Sequence, residues 1–119
     1  TCRISTTQCA SEEAVAVWEH RSDHAGEEET SLVMHLRPEL VREEHITDHP
    51  QHRPSVEAIN KYKADFVRPW HLYIPASAGG NATKASAQKG KTVVESAIEG
   101  MGHLFSELST APDTDTFPY

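Results

Sequence analysis

Residues 92–108, TVVESAIEGMGHLFSEL, limit what this chain can fold into more than any other stretch. Val94, Ala97, Ile98, Met101, Leu104, Phe105 and Leu108 recur at i, i+3 and i+4 spacing. That period predicts an amphipathic helix laid on a sheet or on another helix. Gly90, Gly100 and Gly102 fall in or beside the run. Each costs roughly 1 kcal/mol relative to alanine in a helix interior. Three such glycines predict close packing against a neighbour.

Upstream the pattern is shorter and more mixed. EEAVAVW, residues 12–18, is apolar and partly β-branched, and reads as a buried strand. From Glu27 a helical period takes over through Leu32, Val33, Leu36 and Leu40. Pro38 should end that helix near Arg37, because the residue before a proline is pushed out of the helical region. Pro38 can then open a short turn of its own at the first helical position. Residues 42–54 form a polar loop with three histidines and two prolines. Ser55 is placed to cap a short helix reaching Ala64, with Val56, Ile59 and Tyr62 or Lys63 on one face. WHLYIP, residues 70–75, reads as a second strand, with Trp70 and Tyr73 in a core or interface. Asn81 or Thr83 would cap the helix that follows. Strand, loop, helix, repeated, is an α/β order. The expected organisation is a polar N-terminus over residues 1–10, one domain over 11–110 and a tail over 111–119.

Charge narrows the function classes. Eighteen acids face eleven bases, for a formal charge of −7, and no Lys/Arg stripe is present. Nucleic-acid binding is not expected, since phosphate neutralisation supplies most of that affinity. No apolar run approaches the roughly 20 residues of a membrane helix, and the polar start does not read as a secretory leader. Cys2 and Cys9 lack a redox or metal spacing and read as free thiols of a cytosolic protein. Thr1 is a conceivable N-terminal nucleophile, but no base partner is identifiable. His45, His49 and His52 are read as a solvated loop, because a structural zinc site needs four ligands at defined spacings.

The chemistry concentrates in RSDHAGEEETSLVMHL, residues 21–36. One reading is plain: Glu27, Glu28 and Glu29 are acids in a first helical turn, where the dipole favours them by about 0.3–1 kcal/mol each. The other is catalytic. Histidine is the side chain suited to proton exchange near neutral pH, so one at position 24 can take a proton from water and return it to a leaving nitrogen. A carboxylate at its other ring nitrogen would fix the tautomer. Glu29, one turn into the helix, can fold back towards it, whereas Asp23 faces away if the backbone there is extended.

The wording of this stretch resembles the creatininase family of amidohydrolases. Its signature runs His-Ala-Gly-Glu-x-Glu-Thr-Ser, then an apolar helix, then Pro-x-Leu-Val. His24, Ala25, Gly26, Glu27, Glu29, Thr30, Ser31, Pro38, Leu40 and Val41 match it. SAGGNATKASAQKGKTVVESAIEGMGHLFSEL, residues 77–108, is similar to the family's Gly-x-x-Gly-Asn/Asp-x-Thr-x-Ala-x-x-x-Lys-Gly segment and C-terminal helix.

The resemblance implies a three-layer α/β/α sandwich, usually hexameric, that hydrolyses C–N bonds of small cyclic amides with two divalent metals such as zinc or manganese. It implies His24 as the catalytic histidine and Glu29 as the acid that supports it, with Asp23 and Glu27 in supporting places. It covers the C-terminal half of such an enzyme, from about Ala14 to Leu108. The family's metal ligands belong to the N-terminal half, so the resemblance assigns no ligand to this chain. It implies a complementary half or partner chain, without which this chain should be inactive. Creatinine-hydrolysing members carry tryptophan four residues before the catalytic histidine. Here His20 stands there, which points to another small amide. The reading from a different class is a non-catalytic interaction module that kept the fold.

Overall fold

The computed structural model describes residues 6–20, 24–64, 69–112 and 114. Six helices lie among them: α1 (Thr6–Cys9), α2 (Glu12–Val15), α3 (Glu27–Leu36), α4 (Glu57–Tyr62), α5 (Trp70–Tyr73) and α6 (Ala87–Thr110). Two 3-10 turns, Pro38–Leu40 and Glu43–His45, follow α3. The chain divides into two compact units, Thr1–Val17 with Thr92–Tyr119 and Trp18–Lys91. No helix among the described residues is long and apolar enough to cross a membrane.

Both expected strands are helical turns, and the described residues contain no strand beyond two isolated bridges, His24 with Gly79 and Asp48 with Asn81. The reason is local. Ser11 Oγ accepts the Ala14 N–H at 3.2 Å, so it caps α2, and two acids fill the first turn. The N–H groups of Val15 and Ala16 bond back to Ser11 and Glu12. In α5, the Pro69 carbonyl accepts from both Leu72 and Tyr73. Ring-fixed φ at Pro69 sets that turn up. With their backbone groups satisfied locally, neither segment needs a ladder partner.

Where the signal was stereochemical, the expectation holds. Helix α3 stops at Leu36, and Pro38 occupies the first turn of its own short helix. Helix α4 is shorter than expected and its N-cap is Val56, not Ser55. Its end at Lys63 is left-handed, with φ 49°. Helix α6 begins beyond Asn81 and Thr83, so neither caps it. Asn81 Oδ1 accepts instead from the Thr83 N–H and hydroxyl, at 2.9 and 2.6 Å. The cap is Ser86, whose Oγ accepts the Lys89 N–H at 3.3 Å.

Unit Trp18–Lys91 is centred on Ile74, Ala82, Glu27 and Ser31, all buried. In this unit the start of α6 lies directly on α3. A Cβ at Gly90 would fall 2.0 Å from the Ser31 carbonyl oxygen. Glycine is the one residue that this approach admits. Ser31 Oγ also accepts the Ser86 N–H at 3.0 Å.

In the other unit, Ala14, Val93 and Ala97 are buried. A Cβ at Gly100 would meet the Cys9 carbonyl oxygen at 1.9 Å, while one at Gly102 would meet nothing within 4 Å. Close packing thus explains Gly90 and Gly100 and not Gly102. Of the apolar positions expected to face inward, Ala97 is buried whereas Ile98, Phe105 and Leu108 are exposed, and Val93, outside that set, is fully buried. Apolar side chains surround more than one face of α6, so spacing alone could not select the buried one.

Candidate active site

His24 sits at the head of α3, fixed through its backbone. Its carbonyl accepts the Gly79 N–H at 2.9 Å. Gly79 is buried, and a Cβ there would press within 2.4 Å of Ile74. Ala25 follows in the left-handed region at φ 52°. That conformation costs a non-glycine residue of order 1 kcal/mol and persists where surrounding bonds enforce it. The enforcing bond is a hydrogen bond from the Ala25 N–H to Glu29 Oε2. The same carboxylate oxygen lies 3.8 Å from His24 Nδ1. Glu29 therefore closes the α3 N-terminus by direct bonding and faces the imidazole at a distance too long for a direct hydrogen bond. The His24 and Glu29 side chains are 43% and 57% exposed, so the attraction between them is that of a solvated pair.

The Trp70 ring stands edge-on to the His24 ring, with centroids 5.3 Å apart and planes 69° apart. Sequence reasoning assigned Trp70 to a core or interface. It is half-exposed, beside the imidazole. No local pattern announces a contact across 46 positions.

His24 and Glu29 line a cavity of about 670 Å³. Thr30 and Val33 continue its wall along α3, Arg42, His45 and His49 come from the polar loop, and Ala78 and Ala82 also line it. Two loop histidines read as solvated thus border this cavity. His49 is tied in through its backbone N–H, 3.1 Å from the Gly80 carbonyl. The signal that bore on these residues was the signature itself, since Leu40 and Val41 line the same cavity. Among the described residues, no three His, Cys, Asp or Glu side chains converge to hold a metal ion. The described residues therefore do not fit the family's metal pair. Asp23, Cys2 and Thr1 lie outside the described residues.

Glu27 is placed differently from its neighbours. It is fully buried at the first position of α3. Its Oε2 accepts the backbone N–H groups of Glu19 and His20, at 3.0 and 2.7 Å. Its Oε1 accepts from Lys89 Nζ at 2.5 Å. Lys89 also donates to Glu19 Oε1 at 2.7 Å and to the Lys84 carbonyl at 3.1 Å, which uses all three ammonium protons. An unpaired buried carboxylate would cost several kcal/mol, and these bonds offset that cost. Hydrogen bonds to Glu19 and Glu27 hold the Lys89 ammonium above the usual lysine range, and Lys89 holds the Glu19 carboxyl below the usual carboxylate range. Sequence reasoning named Glu27 only as a supporting residue and gave Lys89 no role beyond the motif.

Comparison with known proteins now bears on this geometry. The family model described as creatininase, creatinine amidohydrolase, matches residues 2–105. No curated protein matches the chain. A crystal structure of a proposed creatinine amidohydrolase from Bacteroides fragilis NCTC 9343 superposes with a TM-score of 0.77 at 30% identity. The alignment covers 94% of this chain and 44% of that one, so this chain spans less than half of that protein's length. With the family model matched over most of its residues, the chain belongs to the creatininase family.

Proposed function

We propose that this chain supplies the proton-handling part of an amidohydrolase that breaks a C–N bond in a small cyclic amide or a related compound. The observation that carries the reading is the place of His24. Its half-exposed imidazole borders the 670 Å³ cavity, anchored by backbone bonds and flanked by Glu29 and Trp70. A cavity of this size suits a small molecule. Nδ1 faces the Glu29 carboxylate at 3.8 Å, and in this reading Nε2 is the base. His24 takes a proton from the attacking water and hands it to the departing nitrogen. Glu29 stabilises the imidazolium across 3.8 Å, a modest effect for half-exposed groups. Its larger contribution is to hold Ala25, and so the imidazole, at the head of α3.

In this reading the metals used by the family are held by ligands outside the described residues, on a complementary N-terminal half or a partner chain. That partner would also complete the three-layer sandwich and the oligomer, a hexamer by resemblance. His20 in place of tryptophan directs the reading away from creatinine and towards another small amide.

The test is His24→Ala in the completed assembly. Turnover should fall by about 10²–10⁴-fold, the usual worth of a positioned proton carrier, with folding and metal content unchanged. Turnover at the wild-type level would remove His24 from the mechanism. Glu29→Gln, measured alongside, should lose less than about tenfold, because the neutral amide still accepts the Ala25 N–H and the charge lost is a solvated one.

A further inference from the structure

We infer that Glu27 is a positioning residue, with Lys89 as its counter-ion: its carboxylate clamps the backbone of Glu19 and His20, four and five residues before the imidazole of His24. The inference deepens the hydrolase reading and rests on it. Its basis is the bonding of one buried carboxylate. Oε2 accepts two successive backbone N–H groups, at Glu19 and His20, four to five residues before the imidazole. Two donors converging on one oxygen leave those peptide planes little freedom. Oε1 is spent on Lys89, so the ammonium is what allows a full charge to sit there with no solvent exposure. Lys89 lies in the first turn of α6, one residue before the glycine that touches Ser31 of α3. Its side chain then bridges back to Glu19 at 2.7 Å. The clamp thus ties three things: the head of α3, the head of α6, and the segment before His24. After His24, the Gly79 bond and the Glu29 bond to Ala25 hold the other side. The described backbone on either side of His24 is thus anchored, by Glu27 at Glu19 and His20 and by Gly79 and Glu29 at His24 and Ala25.

Two double variants of the complete enzyme separate positioning from simple stability. In E27Q/K89M, a neutral amide carbonyl accepts the same two N–H groups and no buried charge is left unpaired, the Glu19 carboxylate being half-exposed. In E27L/K89M, the acceptor is gone and again no buried charge is left unpaired. Replacing a buried ion pair by neutral groups of similar size is commonly tolerated, so both should fold. The first should keep kcat within about threefold of wild type. The second should lose about 10–100-fold in kcat with KM within about threefold, the loss expected from a misplaced catalytic group. Hydrogen exchange at the Glu19 and His20 amides needs no substrate, and should be slow in the first variant and fast in the second. Equal kcat values for the two folded doubles would overturn the inference, as would equal exchange. Turnover that survives His24→Ala would bring down the hydrolase reading instead, while the exchange result would still stand or fall by itself.

Discussion

The region Trp18–Lys91 and the region formed by residues 6–17 with Thr92–Thr110 are held together by different means. The first has short helices, one buried carboxylate and a web of side-chain bonds to backbone. Glu27, Ser31, Ser86, Gln51 and Glu29 each bond a main-chain group there. The second is mostly one long helix, with Ala14, Val93 and Ala97 buried. The site lies wholly in the first. A catalytic imidazole needs a fixed position, and hydrogen bonds to backbone confer direction, which apolar burial does not. The comparison teaches that periodicity marks where a chain packs, and polar bonding marks where it is aimed.

The sharpest way to break this contrast is at Gly90. The added methyl of Gly90→Ala must displace backbone at Ser31, since its contact distance would be 2.0 Å. Overpacking of this kind costs at the upper end of the usual range, about 3 kcal/mol. Thermal unfolding should shift down by more than roughly 10 °C. An unshifted transition would mean that α3 and α6 do not meet as described. Gly102→Ala is the counterpart in the other region. Nothing stands within 4 Å of the new methyl, so only helix propensity acts. Stability should rise by about 1 kcal/mol, read by denaturant midpoint at unchanged slope. A loss there would show that this face of α6 is covered.

The smallest effect concerns Glu28. Burial first, and then the charge of Glu29, hold its carboxyl above the usual carboxylate range. Folding therefore favours the protonated form. The contribution is fully favourable below the unfolded pKa and is lost as pH rises through the folded one. Glu28→Gln should raise the unfolding temperature by roughly a degree or two at pH 7, and the gain should vanish below about pH 4. A gain that persists in acid would assign it to packing and not to charge.

Much of the site was legible because its residues are close in sequence. His24, Gly26 and Glu29 are joined by one helix start, and the stereochemistry of a first turn is a local matter. The end of α3 was legible for the same reason, through Pro38. The strands at residues 12–18 and 70–75 were misread because apolar runs of that length carry no decisive period. Ser11 and Pro69 then supplied turns that satisfied the backbone locally. The Ser86 cap was hidden behind Asn81 and Thr83, which form a turn of their own. Trp70 and Lys89 were out of reach altogether. Their partners lie 46 and 62 positions away.

By itself, the sequence determined the start and stop of α3, the existence of α6, the family, and that Glu29 folds back towards His24. These rest on the rigid geometry of proline, on helical period, and on a signature confined to a few turns. Only the tertiary structure decided which face of α6 is buried, which glycines are needed, that Glu27 is a buried anchor while Glu29 is a half-solvated cap, and that Lys89 answers Glu27. Those outcomes depend on distances between groups remote along the chain. Burial and pairing are properties of such distances, and no local pattern encodes them.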